Sequence, residues 1–285
     1  MKKGIEFTVA TIELKEVQQR TIDILVYVDA LCRQHDLKYS IYYGTLIGLE
    51  RHQGFIPWDD DIDVVMRRPD YERLLAILEK ESRYQLLSMN NRPHFRYPFT
   101  KLVDKETRLV TKQLFAPEDP LMGVFLDIFP LDGIPSTSDG RLAFYQECEQ
   151  DRLNMMDTLA PRSYARSFTP WKALIKSVTG YSRYRKVRAG GDDDYWREQY
   201  QQAAVRYPID EATYCGYLEW ISHDWGVFPT TWFADDQYDD VQFAGHTVMA
   251  IRHRVDFLHL RFGDYMQLPP EAERVTHHPY AFYLK

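Results

Sequence analysis

The pattern of apolar and polar positions along the chain predicts alternating helices and strands. Apolar residues recur at helical spacing over 11–36, after Pro69, over 138–160 and 192–222, and from Val255 to Phe262, where Gly263 ends the run. Short apolar or alternating runs predict strands at 39–43, 61–66, 84–89, 95–103, 107–111, 123–130 and 242–251. The pattern therefore indicates an α+β fold, in which a mixed sheet is flanked by helices and carries an inserted helical region.

One predicted strand begins in an acidic run, because Asp59, Asp60, Asp61 and Asp63 place four carboxylates within five residues. Side chains alternate along an extended backbone, so Asp61 and Asp63 are expected on one face and Asp60 on the other. Two carboxylates on one face repel each other unless a cation lies between them. Oxygen ligands of this kind suit a hard divalent ion such as Mg²⁺. The run predicts a metal site for phosphate chemistry, with Asp59 as a further ligand.

Two other interpretations of the acidic run remain. The first is a solvated acidic loop, although the flanks Pro57-Trp58 and Val64-Val65-Met66 are too apolar to favour it. The second is a single-metal Asp-x-Asp site of the kind found in nucleotide-sugar glycosyltransferases, which the acidic residues alone do not exclude.

A Gly-Thr pair lies between a predicted strand and the short helix before the acidic run. Gly44 lets the backbone approach a ligand closely, and the Thr45 hydroxyl together with free N–H groups at a helix start can bind an anion. Arg51 is a candidate to bind a phosphate through its planar guanidinium group, and the alternative is that Arg51 is an ordinary surface charge. Lys101 lies in an apolar strand, where its ammonium needs an anion, either a substrate phosphate or a structural partner such as Asp104.

Asp127 is the candidate third carboxylate, because it stands alone in the apolar run Val124–Pro130. A buried carboxylate without a partner costs several kcal/mol or raises its pKa, and a shared metal removes that cost. The alternative is an Asp at a strand end bonded to backbone amides. His277 and His278 are further candidates as ligands or proton carriers, although histidines in a tail usually have neither role.

These residues carry a family resemblance. The stretch from Tyr43 to Asp63, YGTLIGLERHQGFIPWDDDID, resembles the signature of the LicD family, and FLDIFPLDG at 125–133 and FGDYMQLPP at 262–270 resemble its later motifs in the same order. The family comprises phosphocholine and related phospho-alcohol transferases with a nucleotidyltransferase-type fold, and fukutin and fukutin-related protein are distant relatives.

The resemblance implies transfer of phosphocholine from CDP-choline to a glycan or teichoic-acid hydroxyl, with CMP leaving. It implies Mg²⁺ or Mn²⁺ at Asp61, Asp63 and Asp127, and Asp127 would help to deprotonate the attacking hydroxyl. Trp58 is the aromatic residue nearest the metal site for a choline group. A nucleotidyltransferase that uses an NTP, and a non-catalytic glycan- or membrane-binding module with a relict site, stay open as alternatives.

The implied organisation has three parts. Residues 1–135 are expected to form a nucleotidyltransferase-like catalytic core, 136–224 a helical insertion, and 225–285 a C-terminal part that packs back on the core. Within the insertion, 171–188 concentrates six Lys or Arg with Trp171, Tyr181 and Tyr184. This composition suits an anionic membrane or a polyanionic acceptor, and the alternative is a solvated helix and loop.

Composition narrows the class of protein further. With 285 residues, 45% of them hydrophobic, the chain can bury a substantial core. A net charge of −7 disfavours a nucleic-acid binder. Three widely spaced cysteines fit a reducing compartment and no structural zinc, and the N-terminus lacks the apolar stretch of a signal peptide. We therefore expect a cytoplasmic protein, and peripheral contact with the inner face of the membrane is a further expectation.

Overall fold

A computed structural model describes residues 11–116, 118–276 and 278–285, and it confirms an α+β fold with a mixed sheet. The helices are α1 (Leu14–Gln34), α2 (Tyr43–His52), α3 (Arg68–Leu78), α4 (Ser138–Thr158), α5 (Pro170–Thr179), α6 (Tyr181–Gly190), α7 (Asp193–Ala204) and α8 (Arg254–Phe262). The strands are β1 (Ser40–Ile41), β2 (Asp63–Arg67), β3 (Gln85–Leu87), β4 (Thr100–Val103), β5 (Thr107–Thr111), β6 (Phe125–Ile134), β7 (Tyr214–Gly216), β8 (Phe228–Pro229), β9 (Tyr238–Phe243), β10 (His246–Ile251) and β11 (Tyr280–Leu284).

Strand β6 is the centre of the largest sheet, in which the order is β1-β2-β6-β4-β3. β2 runs parallel to β6, and β4 runs antiparallel to it on the other side. The C-terminal half of β6 pairs with β7, which in turn pairs with β8. All ten residues of β6 are buried, as expected for a strand that is paired on both edges and covered on both faces.

Helices cover this sheet and form two apolar clusters. Val28 of α1 and Leu74 of α3 are fully buried in one cluster with Ile128 of β6. Phe144 of α4 and Tyr200 of α7 belong to a second cluster, which includes the first residue of β6. The side chains of β6 are therefore divided between the two clusters, with Ile128 in the first and the end residues Phe125 and Ile134 in the second.

The C-terminal part of the chain returns to the beginning of the fold. The Met249 N–H of β10 donates to the Tyr39 hydroxyl at 3.3 Å, and the Ile251 N–H donates to Ser40 Oγ at 3.0 Å. β11 pairs antiparallel with β5, so the last residues form a small sheet with a segment more than 160 residues earlier. The predicted run over 242–251 is the second half of the β9–β10 hairpin.

Some predicted elements were wrong in extent. The helix expected over 192–222 ends at Ala204, because Pro208 lacks the N–H that would continue it and 214–216 pairs with β6 instead. The strand expected over 95–103 begins only at Thr100, two residues after Pro98. β11 was not predicted at all.

None of the helices in the described ranges 11–116, 118–276 and 278–285 is long and apolar enough to cross a bilayer.

Candidate active site

Three adjacent strands bring three charged side chains into one row. In the parallel pair of β2 and β6, Asp63 lies opposite Asp127, and in the antiparallel pair of β6 and β4, Asp127 lies opposite Lys101. Neighbouring strands are about 4.8 Å apart, and side chains in register point to the same face of a sheet. The row Asp63–Asp127–Lys101 is therefore a direct consequence of strand register.

Asp61 joins this row from the loop that leads into β2. One carboxylate oxygen from each of Asp61, Asp63 and Asp127 lies within 4.8 Å of the other two, so the three oxygens can reach a common ion. The expectation that Asp127 approaches Asp61 and Asp63 is confirmed as geometry. The alternative was an Asp127 carboxylate bonded to backbone amides. The structure differs, because both carboxylate oxygens of Asp127 accept hydrogen bonds from Lys101.

Lys101 is the cation of the row. Its Nζ lies 2.6 Å from Asp127 Oδ1 and 2.8 Å from Oδ2, and both side chains are buried. The ammonium also lies 3.5 Å from the centroid of the Phe125 ring and 5.0 Å from that of Phe99. The alternative partner Asp104 instead binds Arg20 at 2.7 Å.

The carboxylates perturb one another because they are crowded and shielded from water. Burial, followed by the charges of Asp61 and Asp127, raises the pKa of Asp63 well above its ordinary value. Burial also raises the pKa of Asp127, to about 6, although the Lys101 ammonium opposes that rise. For Asp59, burial and then the Asp61 charge raise the pKa to about 8.

A divalent cation fits this donor set. Asp61, Asp63 and Asp127 offer only oxygen ligands, which Mg²⁺ and Mn²⁺ prefer. Burial, more than any other cause, raises the pKa values of Asp61, Asp63 and Asp127 although Lys101 is nearby, and a bound cation would compensate the charge of the ionised forms. The residues can therefore hold a metal ion.

Asp60 and His278 form a second group at the edge of the site. His278 Nδ1 lies 2.6 Å from Asp60 Oδ1, and Nε2 lies 3.5 Å from Asp61 Oδ2. The expectation that Asp60 points away from the site is wrong, because 59–62 is a loop and does not alternate as a strand does. Burial lowers the pKa of His278, but the Asp60 hydrogen bond and the Asp61 charge outweigh it and set the pKa at about 9.

His278 had only weak support in the sequence, where it was one of two tail histidines. β11 begins two residues later and ties this tail to β5, and the imidazole stacks on Tyr280 with ring centroids 5.0 Å apart. The companion candidate His277 lies outside the described residues.

Gly44 and Thr45 lie in the first turn of α2, beside the acidic residues. A Cβ at Gly44 would stand 3.1 Å from Asp59 Oδ2, so glycine leaves room for that carboxylate. The Thr45 hydroxyl accepts a hydrogen bond from the Asp63 N–H at 3.0 Å. Thr45 thus fixes the start of β2, and one lone pair of its oxygen is already used.

Two predicted substrate contacts are directed elsewhere. Arg51 donates to the carbonyl oxygens of Tyr265 at 3.0 Å and Gln267 at 3.3 Å, so it holds the C-terminal loop. The half-buried Trp58 has its ring 6.3 Å from that of His52 and 5.9 Å from the Arg274 guanidinium. In the described part of the chain, neither contact involves the carboxylate cluster.

Arg261 of α8 is a cation that the sequence analysis did not identify. Its guanidinium lies 3.9 Å from the Trp225 ring centroid, 4.8 Å from that of Phe262 and 5.6 Å from that of Tyr43. Within the described ranges it makes no ion pair with a carboxylate. Tyr43 adopts a positive φ of 47° immediately before Gly44, a strained conformation for a tyrosine.

Comparisons with known proteins agree with the resemblance seen in the motifs. Residues 36–151 match the family model described as LicD/FKTN/FKRP, nucleotidyltransferase domain. This range contains α2, β2, β4 and β6, and therefore all of Asp61, Asp63, Asp127 and Lys101.

Curated relatives extend the match. The chain is 28% identical over 274 residues to the lipopolysaccharide cholinephosphotransferase LicD of Haemophilus influenzae, which covers 93% of this chain and 96% of that protein. Two further matches each cover 48 residues, which is 17% of this chain. The chain is 46% identical there to an uncharacterized protein of Rickettsia prowazekii and 48% identical to one of Rickettsia typhi. The chain therefore carries a match to the domain of the LicD family at residues 36–151, and it is similar to a LicD protein over 93% of its length.

Proposed function

We propose that this protein is a metal-dependent phosphotransferase that moves phosphocholine from CDP-choline to a hydroxyl of a cell-surface glycan, teichoic-acid precursor or lipid-linked glycan. The observation that carries the proposal is the convergence of Asp61, Asp63 and Asp127 beside Lys101. The similarity to a lipopolysaccharide cholinephosphotransferase over 93% of the chain supports the choice of transferred group.

The bond changes follow from the proposed substrates. The acceptor hydroxyl oxygen forms a bond to the phosphorus that carries choline, and the bond from that phosphorus to the bridging oxygen of CMP breaks. CMP leaves with the electron pair of the broken bond, and the hydroxyl proton passes to a base. Such transfers are accelerated mainly by positioning and by charge stabilisation.

Asp61, Asp63 and Asp127 would hold Mg²⁺ or Mn²⁺, with Asp59 beside them. When bound, the ion neutralises negative charge on the phosphoryl group and on the attacking and leaving oxygens. The positions of the carboxylates are set by the chain itself. The pairing of β2 with β6 holds Asp63 and Asp127 in register, and Thr45 fixes the backbone at Asp63.

Asp127 is the proposed proton acceptor. Lys101 opposes the effect of burial and leaves the pKa of Asp127 at about 6, so the carboxylate is ionised at neutral pH and can take up a proton. Lys101 holds this carboxylate in place and contributes positive charge near the reacting phosphate. A base with a pKa close to the working pH is an efficient one.

Arg261 is the proposed positive partner of the nucleotide diphosphate, in the role first expected of Arg51. Arg51 is engaged with two backbone carbonyls, whereas Arg261 rests on aromatic rings and makes no ion pair in the described ranges. Arg261 contacts Tyr43, and Tyr43 leads into Gly44, whose backbone borders Asp59. Gly44 and Thr45 remain the proposed contacts to phosphate oxygens, Gly44 through its backbone and Thr45 through its hydroxyl proton, because the Thr45 N–H donates to the Tyr42 carbonyl at 3.0 Å.

Trp58 remains the proposed contact for choline. Aromatic faces attract quaternary ammonium groups through cation–π interactions, and the Trp58 ring already lies within 5.9 Å of one cation, that of Arg274. The nucleotidyltransferase-type core over 1–135, the helical insertion over 136–224 and the C-terminal part over 225–285 belong to the same proposal.

Product analysis tests this function. The protein is incubated with Mg²⁺, an oligosaccharide acceptor and either CDP-choline or CTP, and the products are identified by ³¹P NMR and mass spectrometry. We expect CMP and a phosphocholine-modified acceptor from CDP-choline, and nothing from CTP. Release of pyrophosphate from CTP with a nucleotidyl-modified acceptor would favour the nucleotidyltransferase alternative. A relict site would show neither turnover nor stabilisation by Mg²⁺ with nucleotide.

A further inference from the structure

Helix α5 turns its apolar side away from the protein. Trp171, Leu174, Ile175 and Val178 are 60, 68, 50 and 73% exposed. Their spacing of i, i+3, i+4 and i+7 places them in one stripe on the helix surface. The opposite side carries Ala173, which is buried.

The protein-facing side of α5 is held by small residues and backbone contacts. The Tyr164 hydroxyl donates to the Ser177 carbonyl at 3.0 Å, and Lys176 Nζ donates to the Arg166 carbonyl at 3.0 Å. A surface helix normally directs its apolar stripe to the core, and α5 does the reverse. Phe168 and Tyr181, each 52% exposed, extend the apolar surface at the two ends of the helix. Contiguous apolar surface of this kind marks an interaction site.

The charge around this stripe identifies the partner. Residues 158–191 contain eight Lys or Arg and neither Asp nor Glu, in a protein with a net charge of −7. These cations are Arg162, Arg166, Lys172, Lys176, Arg183, Arg185, Lys186 and Arg188. Arg183 and Arg188 pair with Asp157 and Asp192. Lys172, Arg185 and Lys186 are exposed and have no ion-pair partner in the part of the chain that the structure describes.

We infer that α5 and α6 dock the protein on an anionic lipid bilayer, with the Trp171–Val178 stripe in the interface and the unpaired cations at the headgroups. A basic helix with an exposed apolar face and an aromatic residue lies in the plane of a membrane interface. Ten residues give α5 a length of about 15 Å, enough to lie on the surface and too short to cross it. Lysine side chains beside the stripe can bury their stems and leave the ammonium at the headgroups.

Vesicle binding by the full chain tests the inference. Flotation is measured with vesicles of phosphatidylcholine alone and with vesicles of equal parts phosphatidylcholine and phosphatidylglycerol. We expect binding to the anionic vesicles only. Binding should weaken several-fold as salt rises to physiological ionic strength, because exposed charges are screened beyond about 8–10 Å.

Two pairs of substitutions separate the contributions of charge and apolar surface. Arg185→Gln with Lys186→Gln should weaken binding about fivefold for each charge removed. Leu174→Gln with Val178→Gln should abolish stable binding, because the apolar face no longer enters the interface. The matched controls, Lys15→Gln with Lys80→Gln and Leu142→Gln with Val205→Gln, change exposed residues elsewhere and should bind like the parent. Circular dichroism checks that every variant is folded.

Three results would overturn the inference. The first is no binding, or salt-independent binding, of the parent to the anionic vesicles. The second is an equal loss of binding in the control pairs. The third is self-association of the parent in lipid-free ultracentrifugation that Leu174→Gln with Val178→Gln abolishes, since a second copy of the chain would then be what covers α5.

Discussion

Lys101 and Asp127 face each other across two antiparallel strands, with the ammonium 2.6 and 2.8 Å from the two carboxylate oxygens. Asp127 faces Asp63 on its other side, so one lysine is shared by a row of acidic groups. The pair is buried against aromatic rings, which makes each partner costly without the other. The electrostatics of the site depend on this contact.

Replacing Lys101 with methionine is therefore expected to destabilise the metal-free protein by about 3–5 kcal/mol at neutral pH, because Asp127 loses its buried partner. Urea unfolding measures the change. The double variant Lys101→Met with Asp127→Asn should recover much of that loss, since no buried charge is then left unpaired. A double variant as unstable as the single one would contradict the description of this pair. Turnover should be lost in both.

The opposite effect on stability is expected when an acidic residue is neutralised. Asp63→Asn or Asp61→Asn should leave the metal-free protein as stable as the parent or slightly more stable, because repulsion between carboxylates is relieved. Turnover should vanish, and so should the rise in melting temperature on addition of Mg²⁺ and nucleotide. Asp36→Asn, at a side chain that is 90% exposed and pairs with Lys38, far along the chain from the acidic run, is the control. Near-normal turnover in either variant would remove that residue from the proposed site.

Stability of the metal-free protein should fall as the pH rises. Burial raises the folded-state pKa of Asp127 to about 6 and of Asp59 to about 8, whereas an unfolded Asp titrates near about 4. The native state then binds these protons more tightly than the unfolded state, so stability is lost as the pH rises through this range. We expect the free energy of unfolding to decrease between about pH 4 and pH 8.

The contribution of the cluster to that decrease is isolated by a variant. The free energy of unfolding of Asp59→Asn should change less with pH than that of the parent. The free energy of unfolding of Asp36→Asn should follow the parent curve. Saturating Mg²⁺ should flatten the parent curve, because metal binding favours the ionised carboxylates. An unchanged slope in Asp59→Asn would show that this carboxyl is ionised at neutral pH in the folded protein.

The Asp60–His278 contact gives a spectroscopic prediction. The Asp60 hydrogen bond and the Asp61 charge raise the pKa of His278 to about 9, so Asp60→Asn should shift the imidazole titration measured by NMR to lower pH. Turnover should fall less in Asp60→Asn than in Asp61→Asn, because Asp61 is one of the three carboxylates that can reach a common metal ion. A His278 titration that is unchanged in Asp60→Asn would show that the two groups are not paired in solution.

The groups that belong to local sequence patterns could be predicted before the fold was known. Asp61 and Asp63 stand in a short acidic run, and Asp127 is a lone acid in an apolar strand, so each is visible without knowledge of the fold. The sequence left two possible partners for Lys101, a substrate phosphate and Asp104. It could not decide between them, because strand register determines which residue a buried lysine faces.

The groups that were missed or misplaced come from distant parts of the chain. His278, a weak candidate in the sequence, reaches the site because β11 pairs with β5, and Arg261 lies against Tyr43 because α8 packs near the start of α2. Arg51 follows the expected helix but binds the carbonyls of Tyr265 and Gln267. None of these tertiary contacts leaves a periodic signal in the sequence.

Arg261 and Arg51 form a matched pair for a kinetic test. Arg261→Ala should raise the KM for CDP-choline about tenfold or more, because a charge-assisted contact to a phosphate contributes about 1.5–3 kcal/mol. Arg261→Lys should recover part of that loss. Arg51→Ala should mainly lower the melting temperature, since its guanidinium holds a loop. The reverse outcome, with KM raised only by Arg51→Ala, would restore Arg51 as the phosphate contact.

The most direct test of the central claim is a single product assay on the parent and Asp63→Asn proteins. Both are incubated with Mg²⁺, CDP-choline and an oligosaccharide acceptor, and CMP release and the acceptor mass are followed together. The parent is predicted to form one CMP for each phosphocholine gained by the acceptor, and Asp63→Asn is predicted to form neither. CMP release without modification of any hydroxyl acceptor, or equal product from both proteins, would contradict the proposed transfer at these carboxylates.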